Sequence, residues 1–148
     1  MKIAKALEGV NRIFLDTAPV VYLVEAHIDF GARSREIFMH MDESGIRGIT
    51  SPVTLAECLI LPIRLQQPSI QSNFQDLLLG SDGISLVNID ATIGALAADL
   101  RVRYGFKLPD ALQVATALSS NCDAFLTNDR MLARVTELQI LVLADLEV

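Results

Sequence analysis

The chain has 148 residues, enough for one domain with its own hydrophobic core and too few for two ordinary domains. Hydrophobic residues make up 51% of it and aromatic residues only 5%, so Leu, Ile, Val and Ala must form most of the core, as in proteins whose helices pack on a sheet. No stretch approaches the roughly 18 consecutive apolar residues of a membrane span, so we expect a soluble, cytoplasmic protein. The formal net charge of −6 argues against a nucleic-acid partner, because phosphate binding usually requires a basic surface.

Short β-branched runs alternate with longer helical ones from residue 12 onward. In the first half these runs predict, in chain order, a strand over residues 12–16, helices over 17–25 and 32–44, a strand over 46–51 and a helix over 52–63. Pro19 and Pro52 stand in first turns, where proline is tolerated because the first helical N–H groups have no partner. Pro62 lies near the far end of its helix and is expected to end or kink it.

The second half continues the alternation. It predicts a helix over 68–80, a strand over 84–89, helices over 91–105 and 109–121, a strand over 123–127, a short helix over 128–137 and a last strand over 138–143. Strands that alternate with helices imply right-handed crossovers and a mostly parallel sheet with helices on both faces. In such three-layer α/β/α folds, ligands bind beyond the carboxyl ends of the strands, where the strand order reverses.

Four acidic residues stand where such a site is expected. Asp16 closes the first strand, Asp129 follows the fourth, and Asp110 begins the nearly all-apolar, hence buried, helix over 109–121. Each of these three also has an ordinary structural explanation as a helix cap, a turn residue or a partner of the helix dipole. Glu57 has apolar neighbours in TLAECLI, so we expect it to be buried and to need a compensating partner.

One arrangement accounts for all four acids. If the loops after strands one and four are neighbours, four carboxylates converge on one pocket and raise one another's pKa values unless cations neutralise them. The two histidines and two cysteines have no second ligand at metal-binding spacing. Oxygen ligands alone favour a hard, octahedral metal such as Mg²⁺ or Mn²⁺, and a water activated by such a metal is a nucleophile suited to phosphodiester bonds.

Four motifs carry a family resemblance: FLDT, TSPVTLAE, KLPDALQVATAL and FLTNDR, in this order and at these intervals. Together they resemble a PIN domain, the nuclease fold of VapC-like toxins from type II toxin-antitoxin pairs. The resemblance runs from about residue 12 to the end, so we expect residues 1–148 to form a single PIN-like domain with 1–11 as an N-terminal extension. It implies a five-stranded sheet of order 3-2-1-4-5, in which the strand ending in Asp16 lies beside the strand that precedes Asp129.

The resemblance also implies roles for individual residues. The catalytic acids would be Asp16, Glu57, Asp110 and Asp129. Direct metal ligation would fall to Asp16, Asp110 and Asp129, whereas Glu57 would be a further ligand or a base that positions water. The supporting residues would be Thr17, Thr127 and Asn128. Helix capping is the alternative role of Thr17, and turn formation is that of Thr127 and Asn128.

The activity that the resemblance implies is that of a Mg²⁺- or Mn²⁺-dependent endoribonuclease, in which one or two metal ions activate water to hydrolyse an RNA phosphodiester. Such a protein would be the toxin of a pair, held by a cognate antitoxin protein, and proteins of this kind commonly form homodimers.

Gln113, one helical turn after Asp110, is expected on the exposed side of its helix, with a position facing the pocket as the alternative.

Basic residues are concentrated near two of the acids in sequence. Five of the twelve Lys and Arg are Arg101, Arg103, Lys107, Arg130 and Arg134. If they share the rim of the pocket, they provide phosphate contacts for RNA without base specificity; otherwise they are solvated surface residues. Setting aside four acids in a metal site changes the remaining net charge from −6 to −2, which weakens the objection to a nucleic-acid partner.

Three other functions stay open from the sequence. A haloacid-dehalogenase-like phosphatase also begins with a strand-end aspartate but requires a second acid two residues later, where this chain has Ala18. A receiver domain requires an acidic pair and a lysine, and Lys107 precedes the wrong element. A non-catalytic PIN-fold scaffold that binds RNA or a protein does not require the acids, and metal binding distinguishes it from a nuclease.

Overall fold

Five parallel strands form the central sheet of the computed structural model, which describes residues 1–148. The strands are β1 Arg12–Leu15, β2 Arg47–Thr50, β3 Ile84–Leu86, β4 Ala124–Thr127 and β5 Gln139–Val142. Their order across the sheet is β3-β2-β1-β4-β5, which confirms the order that the family resemblance implied. Because the order reverses at β1, the loops after β1 and β4 open side by side.

Seven α-helices cover the two faces of the sheet. They are α1 Ile3–Ala6, α2 Thr17–Val24, α3 Gly31–Ser44, α4 Pro52–Arg64, α5 Pro68–Gly80, α6 Ala91–Tyr104 and α7 Leu108–Ser119. Buried residues of α1 to α5 pack on one face and those of α6 and α7 on the other, so the predicted three-layer α/β/α architecture is confirmed. None of these helices is long and apolar enough to span a membrane.

Strand β1 lies at the centre of the sheet and is buried on both faces. Ile13 and Leu15 belong to the core beneath α1 to α5, whereas Phe14 belongs to the core beneath α6 and α7. The ring of Phe14 stacks on that of Phe125 in β4, with centroids 4.9 Å apart. Just beyond β1, the backbone N–H of Asp16 donates to the carbonyl oxygen of Leu126 at 3.0 Å, which places Asp16 at the carboxyl edge next to β4.

The N-terminal segment packs into the fold and joins its C-terminal end. Ile3 and Ala6 of α1 are buried in the core. Lys2 forms a parallel bridge with Glu147, and the N–H of Ile3 donates to the carbonyl oxygen of Glu147 at 2.9 Å. The segment before β1 therefore contributes apolar side chains to the same core as the sheet.

Two predicted helices differ in detail from the structure. Helix α4 does not end at Pro62 but continues to Arg64, because proline removes only one backbone donor and the N–H of Leu65 still bonds to the carbonyl oxygen of Leu61 at 2.9 Å. The helix predicted over 128–137 is a 3-10 helix of five residues, Arg130–Arg134, bounded by extended backbone on both sides. A second 3-10 helix, Leu143–Asp145, follows β5.

Candidate active site

Asp16 is the N-cap of α2 and the most enclosed of the four acids. Its Oδ1 accepts the backbone N–H of Thr17 at 2.9 Å and the side-chain amide of Gln113 at 3.4 Å. Its Oδ2 accepts the hydroxyl of Thr127 at 2.7 Å. Burial raises the pKa of Asp16 above its ordinary value, although these three hydrogen bonds oppose the rise. No lysine or arginine is among its hydrogen-bond partners, so this partly buried carboxylate has no cationic partner from the chain.

Thr127, the last residue of β4, connects Asp16 to Asp129. Its buried hydroxyl donates to Asp16 and accepts the backbone N–H of Asp129 at 3.1 Å. The Oδ1 of Asp129 in turn accepts the N–H of Met131 at 2.9 Å, so Asp129 caps the 3-10 helix while standing at the carboxyl edge. Asp129 therefore caps the 3-10 helix and also lies in the acidic site, so the two explanations are compatible.

Asn128 lies in the same turn but points toward other elements. Its side-chain nitrogen donates to the hydroxyl of Tyr22 at 3.3 Å, and its oxygen accepts the N–H of Ala144 at 3.0 Å. These bonds join the turn after β4 to α2 and to the segment after β5. Asn128 thus supports the site through the backbone of its own turn, without a hydrogen bond to any of the four acids.

Glu57 is exposed on α4, so the prediction that it is buried was wrong. Its apolar neighbours in sequence lie on other sides of the helix, where Cys58 is buried and Ala56 is itself exposed. The hydroxyl of Thr17 donates to Oε1 of Glu57 at 2.8 Å, which ties α4 to the start of α2. The capping alternative for Thr17 does not hold, because Asp16 is the cap of α2.

Asp110 is partly buried in the first turn of α7 and is electrostatically coupled to the other three acids. Burial raises its pKa, and the charges of Asp16, Asp129 and Glu57 raise it further, whereas Lys107 lowers it. Asp110 also lines a cavity with Asp129, the hydroxyl of Thr127 connects Asp129 to Asp16, and Thr17 next to Asp16 bonds to Glu57. The four acids predicted from the sequence therefore share one region at the carboxyl edge of the sheet.

Gln113 is buried, so the expectation of an exposed amide was wrong. Only 1% of its surface is accessible. Its nitrogen donates to the hydroxyl of Thr54 at 2.6 Å as well as to Asp16, and its oxygen accepts the hydroxyl of Ser51. The hydroxyl of Thr54 donates to the carbonyl oxygen of Leu15 at 3.2 Å. This buried network joins α7, the start of α4 and the end of β1 around Asp16.

A signal for this network was present in the sequence. Gln113 lies in an otherwise apolar stretch that was expected to be buried, and a buried amide requires hydrogen-bond partners. Ser51 and Thr54 stand at the start of α4, which follows β2 and its carboxyl end. Their hydroxyl groups are suitable partners for the amide of Gln113. A network among these polar residues was therefore compatible with the sequence, and the packing of α4 and α7 decides that it forms near Asp16.

The five basic residues named from the sequence separate into two groups. Lys107 and Arg134 line a cavity together with Asp110 and Asp129. Arg103 pairs with Asp99 and Glu137, and Arg130 forms two hydrogen bonds with Asp145. Arg101 donates to the carbonyl oxygen of Phe106 at 2.8 Å.

The acidic site fits a divalent metal that retains part of its water shell. No three His, Cys, Asp or Glu side chains are grouped tightly enough to bind one ion directly as they stand. Mg²⁺ commonly uses one or two carboxylates and keeps several waters, and it requires oxygen donors of the kind that Asp16, Asp110 and Asp129 supply. The lack of a basic partner for the partly buried Asp16 leaves a negative charge that such a cation would balance.

The strand order and the acids at its reversal define the class, a three-layer α/β/α protein with an acidic site at the carboxyl edge of its sheet. A family model described as PIN domain matches residues 13–138. The chain belongs to the PIN domain family. A search of curated protein sequences gave no significant match.

Solved structures show the same fold at low sequence identity. VapBC2 from Rickettsia felis, bound to a promoter DNA fragment, matches with a TM-score of 0.70 and 16% identity over 88% of this chain and 97% of that chain. VapC20 from Mycobacterium tuberculosis, described as a sarcin-ricin loop cleaving toxin, matches with a TM-score of 0.69 and 17% identity over 86% and 98% of the two chains. A toxin-antitoxin complex from Klebsiella pneumoniae matches with a TM-score of 0.68 and 17% identity over 88% and 97%.

Proposed function

We propose that the chain is a Mg²⁺- or Mn²⁺-dependent endoribonuclease, that it acts in the cytoplasm, and that it is the toxin of a toxin-antitoxin pair. The observation that carries this proposal is the partly buried carboxylate of Asp16, which three uncharged donors hold without a cationic partner beside three further acids. A fold alone requires no such cluster, because like charges in a partly buried site destabilise it. A divalent cation would reverse that penalty.

The positions of the four acids suggest separate roles in hydrolysis. Asp16, Asp110 and Asp129 would hold the cation, and Thr127 would keep Asp16 and Asp129 in register through the two hydrogen bonds of its hydroxyl. When bound, the cation supplies Lewis acidity and makes a water molecule easier to deprotonate. Glu57 is exposed, and its Oε1 is fixed by Thr17, so its other carboxylate oxygen is free to accept a proton from the attacking water.

Two of the similar structures support the biological part of the proposal. One is described as a sarcin-ricin loop cleaving toxin and another as a toxin-antitoxin complex. This chain also exposes apolar side chains in the second half of α4 and just after it, namely Ile60, Leu61, Ile63 and Leu65. A cluster of exposed apolar residues is typical of a protein contact, which supports a homodimer bound to an antitoxin.

The activity is tested by RNA cleavage with the purified protein in Mg²⁺, Mn²⁺ and EDTA. We expect wild type to cleave only with a divalent ion and Asp16→Asn to lose at least about 100-fold in rate, because ligands and their partners in metal sites have effects of this size. Asp76→Asn is the matched control, since Asp76 is an exposed residue of α5 outside the site. Equal metal-dependent cleavage by wild type and Asp16→Asn would refute the site.

The toxin role is tested separately by expression in cells. Induction of wild type should arrest growth, induction of Asp16→Asn should not, and co-expression of a small DNA-binding protein encoded immediately upstream should restore growth. Equal growth with wild type and Asp16→Asn would contradict the toxin role. Wild-type protein that binds neither Mg²⁺ nor Mn²⁺ would instead favour the non-catalytic scaffold.

A further inference from the structure

A cavity of about 270 Å³ opens beside the acidic site, between the α6–α7 loop and the 3-10 helix after β4. Side chains that line it are Phe106, Lys107, Asp110, Asp129, Met131 and Arg134. Two of these side chains are cations and two are acids of the proposed metal site. The cavity therefore shares Asp110 and Asp129 with the acidic site, and Lys107 and Arg134 add positive charge to it.

Arg134 is held in place by uncharged partners. Its Nε donates to the carbonyl oxygen of Met131 at 3.2 Å, one Nη2 hydrogen goes to the carbonyl oxygen of Tyr104 at 2.6 Å, and the guanidinium lies 5.2 Å from the centre of the Phe106 ring. A guanidinium has five N–H donors, so three of them remain for a ligand. An arginine with a fixed orientation and no carboxylate partner is well suited to bind a phosphate.

Lys107 provides the second cation of the cavity. It is exposed, and its ammonium group forms no ion pair with the chain. Lys107 lines the same cavity as Asp110 and Asp129, so its charge lies near the acidic site. Arg103 and Arg130 differ from it, because each is already paired with acids of the chain.

We propose that Lys107 and Arg134 bind one phosphate group of the RNA strand, adjacent to the phosphodiester that is cleaved. This subsite deepens the proposed ribonuclease function and rests on it. The cavity lies beside Asp110 and Asp129, so a strand with its scissile phosphate at the acids would place a neighbouring phosphate against the two cations. Contacts of this kind fix the register of the strand and carry no base specificity.

The subsite is tested by the salt dependence of RNA binding in EDTA, where no cleavage occurs. Fluorescence anisotropy with a short labelled single-stranded RNA gives the dissociation constant between about 50 and about 200 mM KCl. Each phosphate contact contributes about 0.7 to the slope of log K against log salt for single strands. We expect Lys107→Gln and Arg134→Gln each to lose part of one such contribution and the double variant to lose all of it, so in the double variant the gain in affinity on lowering the salt concentration should be about 2.6-fold smaller than in wild type.

Controls separate this effect from loss of charge and from unfolding. Arg64→Gln removes one positive charge from the end of α4, away from the cavity, and should keep the wild-type slope. Arg134 also bonds to two backbone carbonyl groups, so Arg134→Lys, which retains the charge, should keep the slope even if its melting temperature falls. The side chain of Lys107 makes no ion pair in the fold, so Lys107→Gln should have the melting temperature of wild type.

The outcomes distinguish this inference from the proposed activity. Wild-type slopes in both Lys107→Gln and Arg134→Gln, or no RNA binding by wild type, would overturn the subsite. Cleavage by wild type with unchanged slopes in the variants would leave the ribonuclease intact and remove only the subsite. Binding with the expected slopes but no cleavage in any divalent ion would keep the subsite and refute the nuclease.

Discussion

Replacing Gln113 by leucine removes the amide that joins α4, α7 and Asp16 and keeps a side chain of similar size. The hydroxyl of Ser51 then loses its acceptor and the hydroxyl of Thr54 loses a donor, and both residues are fully buried. A buried polar group without its partner destabilises a fold by about 1 to 3 kcal/mol. Because each hydroxyl keeps one other bond, we expect the free energy of unfolding to fall by about 2 to 4 kcal/mol in total.

Urea unfolding followed by far-UV circular dichroism measures this loss. With a slope of about 2 kcal/mol per M, the midpoint should fall by about 1 to 2 M. Gln75→Leu, at an exposed position of α5, is the control and should stay within about 0.5 kcal/mol of wild type. A double-mutant cycle with Thr54→Val should show a coupling above about 0.5 kcal/mol. If Gln113→Leu unfolded within about 0.5 kcal/mol of wild type, the buried network would be refuted.

Three further predictions concern the acids and the core. Burial raises the folded-state pKa of Asp16 above its ordinary value of 3.8, so in EDTA the contribution of Asp16 to the free energy of unfolding should fall as pH rises from that value through the folded pKa; the difference in stability between wild type and Asp16→Asn measures this contribution. Asp16→Asn should remove part of this fall and raise the melting temperature at neutral pH, and a lower melting temperature would contradict it. Thr127→Val removes the hydroxyl between Asp16 and Asp129, so metal-dependent RNA cleavage should fall at least about 10-fold with unchanged circular dichroism, and full activity would contradict that role. Phe125→Ala removes the ring stacked on Phe14 and should lower the free energy of unfolding in urea by about 3 to 5 kcal/mol, whereas a loss below about 1 kcal/mol would show that the stack is not part of the core.

Much of the fold was predictable because the physical signals for it are local. Apolar runs of β-branched residues gave the five strands, and proline or glycine marked many helix ends, as at Gly45 and Gly105, where the backbone is left-handed. The extent of α4 beyond Pro62 was not predictable from that residue, because a proline near the end of a helix removes only one hydrogen bond. The packing of α1 depends on a contact with the other end of the chain, which no local pattern reveals.

The region of the candidate site was also predictable, whereas its hydrogen bonds were not. The carboxyl ends of parallel strands share one edge of the sheet, and the strand order that the family resemblance implied placed the strands before Asp16 and Asp129 side by side. The burial of Gln113 and the exposure of Glu57 depend on how far α7 and α4 are rotated about their axes, and packing between distant elements sets that rotation. Sequence spacing shows which residues share a face of a helix, but it does not show whether that face is turned toward the core or toward solvent.

The proposed nuclease mechanism requires that the acids around Asp16 bind a divalent cation. Anomalous diffraction from crystals soaked in MnCl₂ tests it most directly, because the scattering of Mn²⁺ identifies the ion and its position together. We predict one or two anomalous peaks contacting Asp16 and at least one of Asp110 and Asp129, directly or through water, and no such peak in Asp16→Asn crystals. Crystals that take up Mn²⁺ elsewhere and show no peak at these carboxylates would contradict the metal site and the nuclease mechanism built on it.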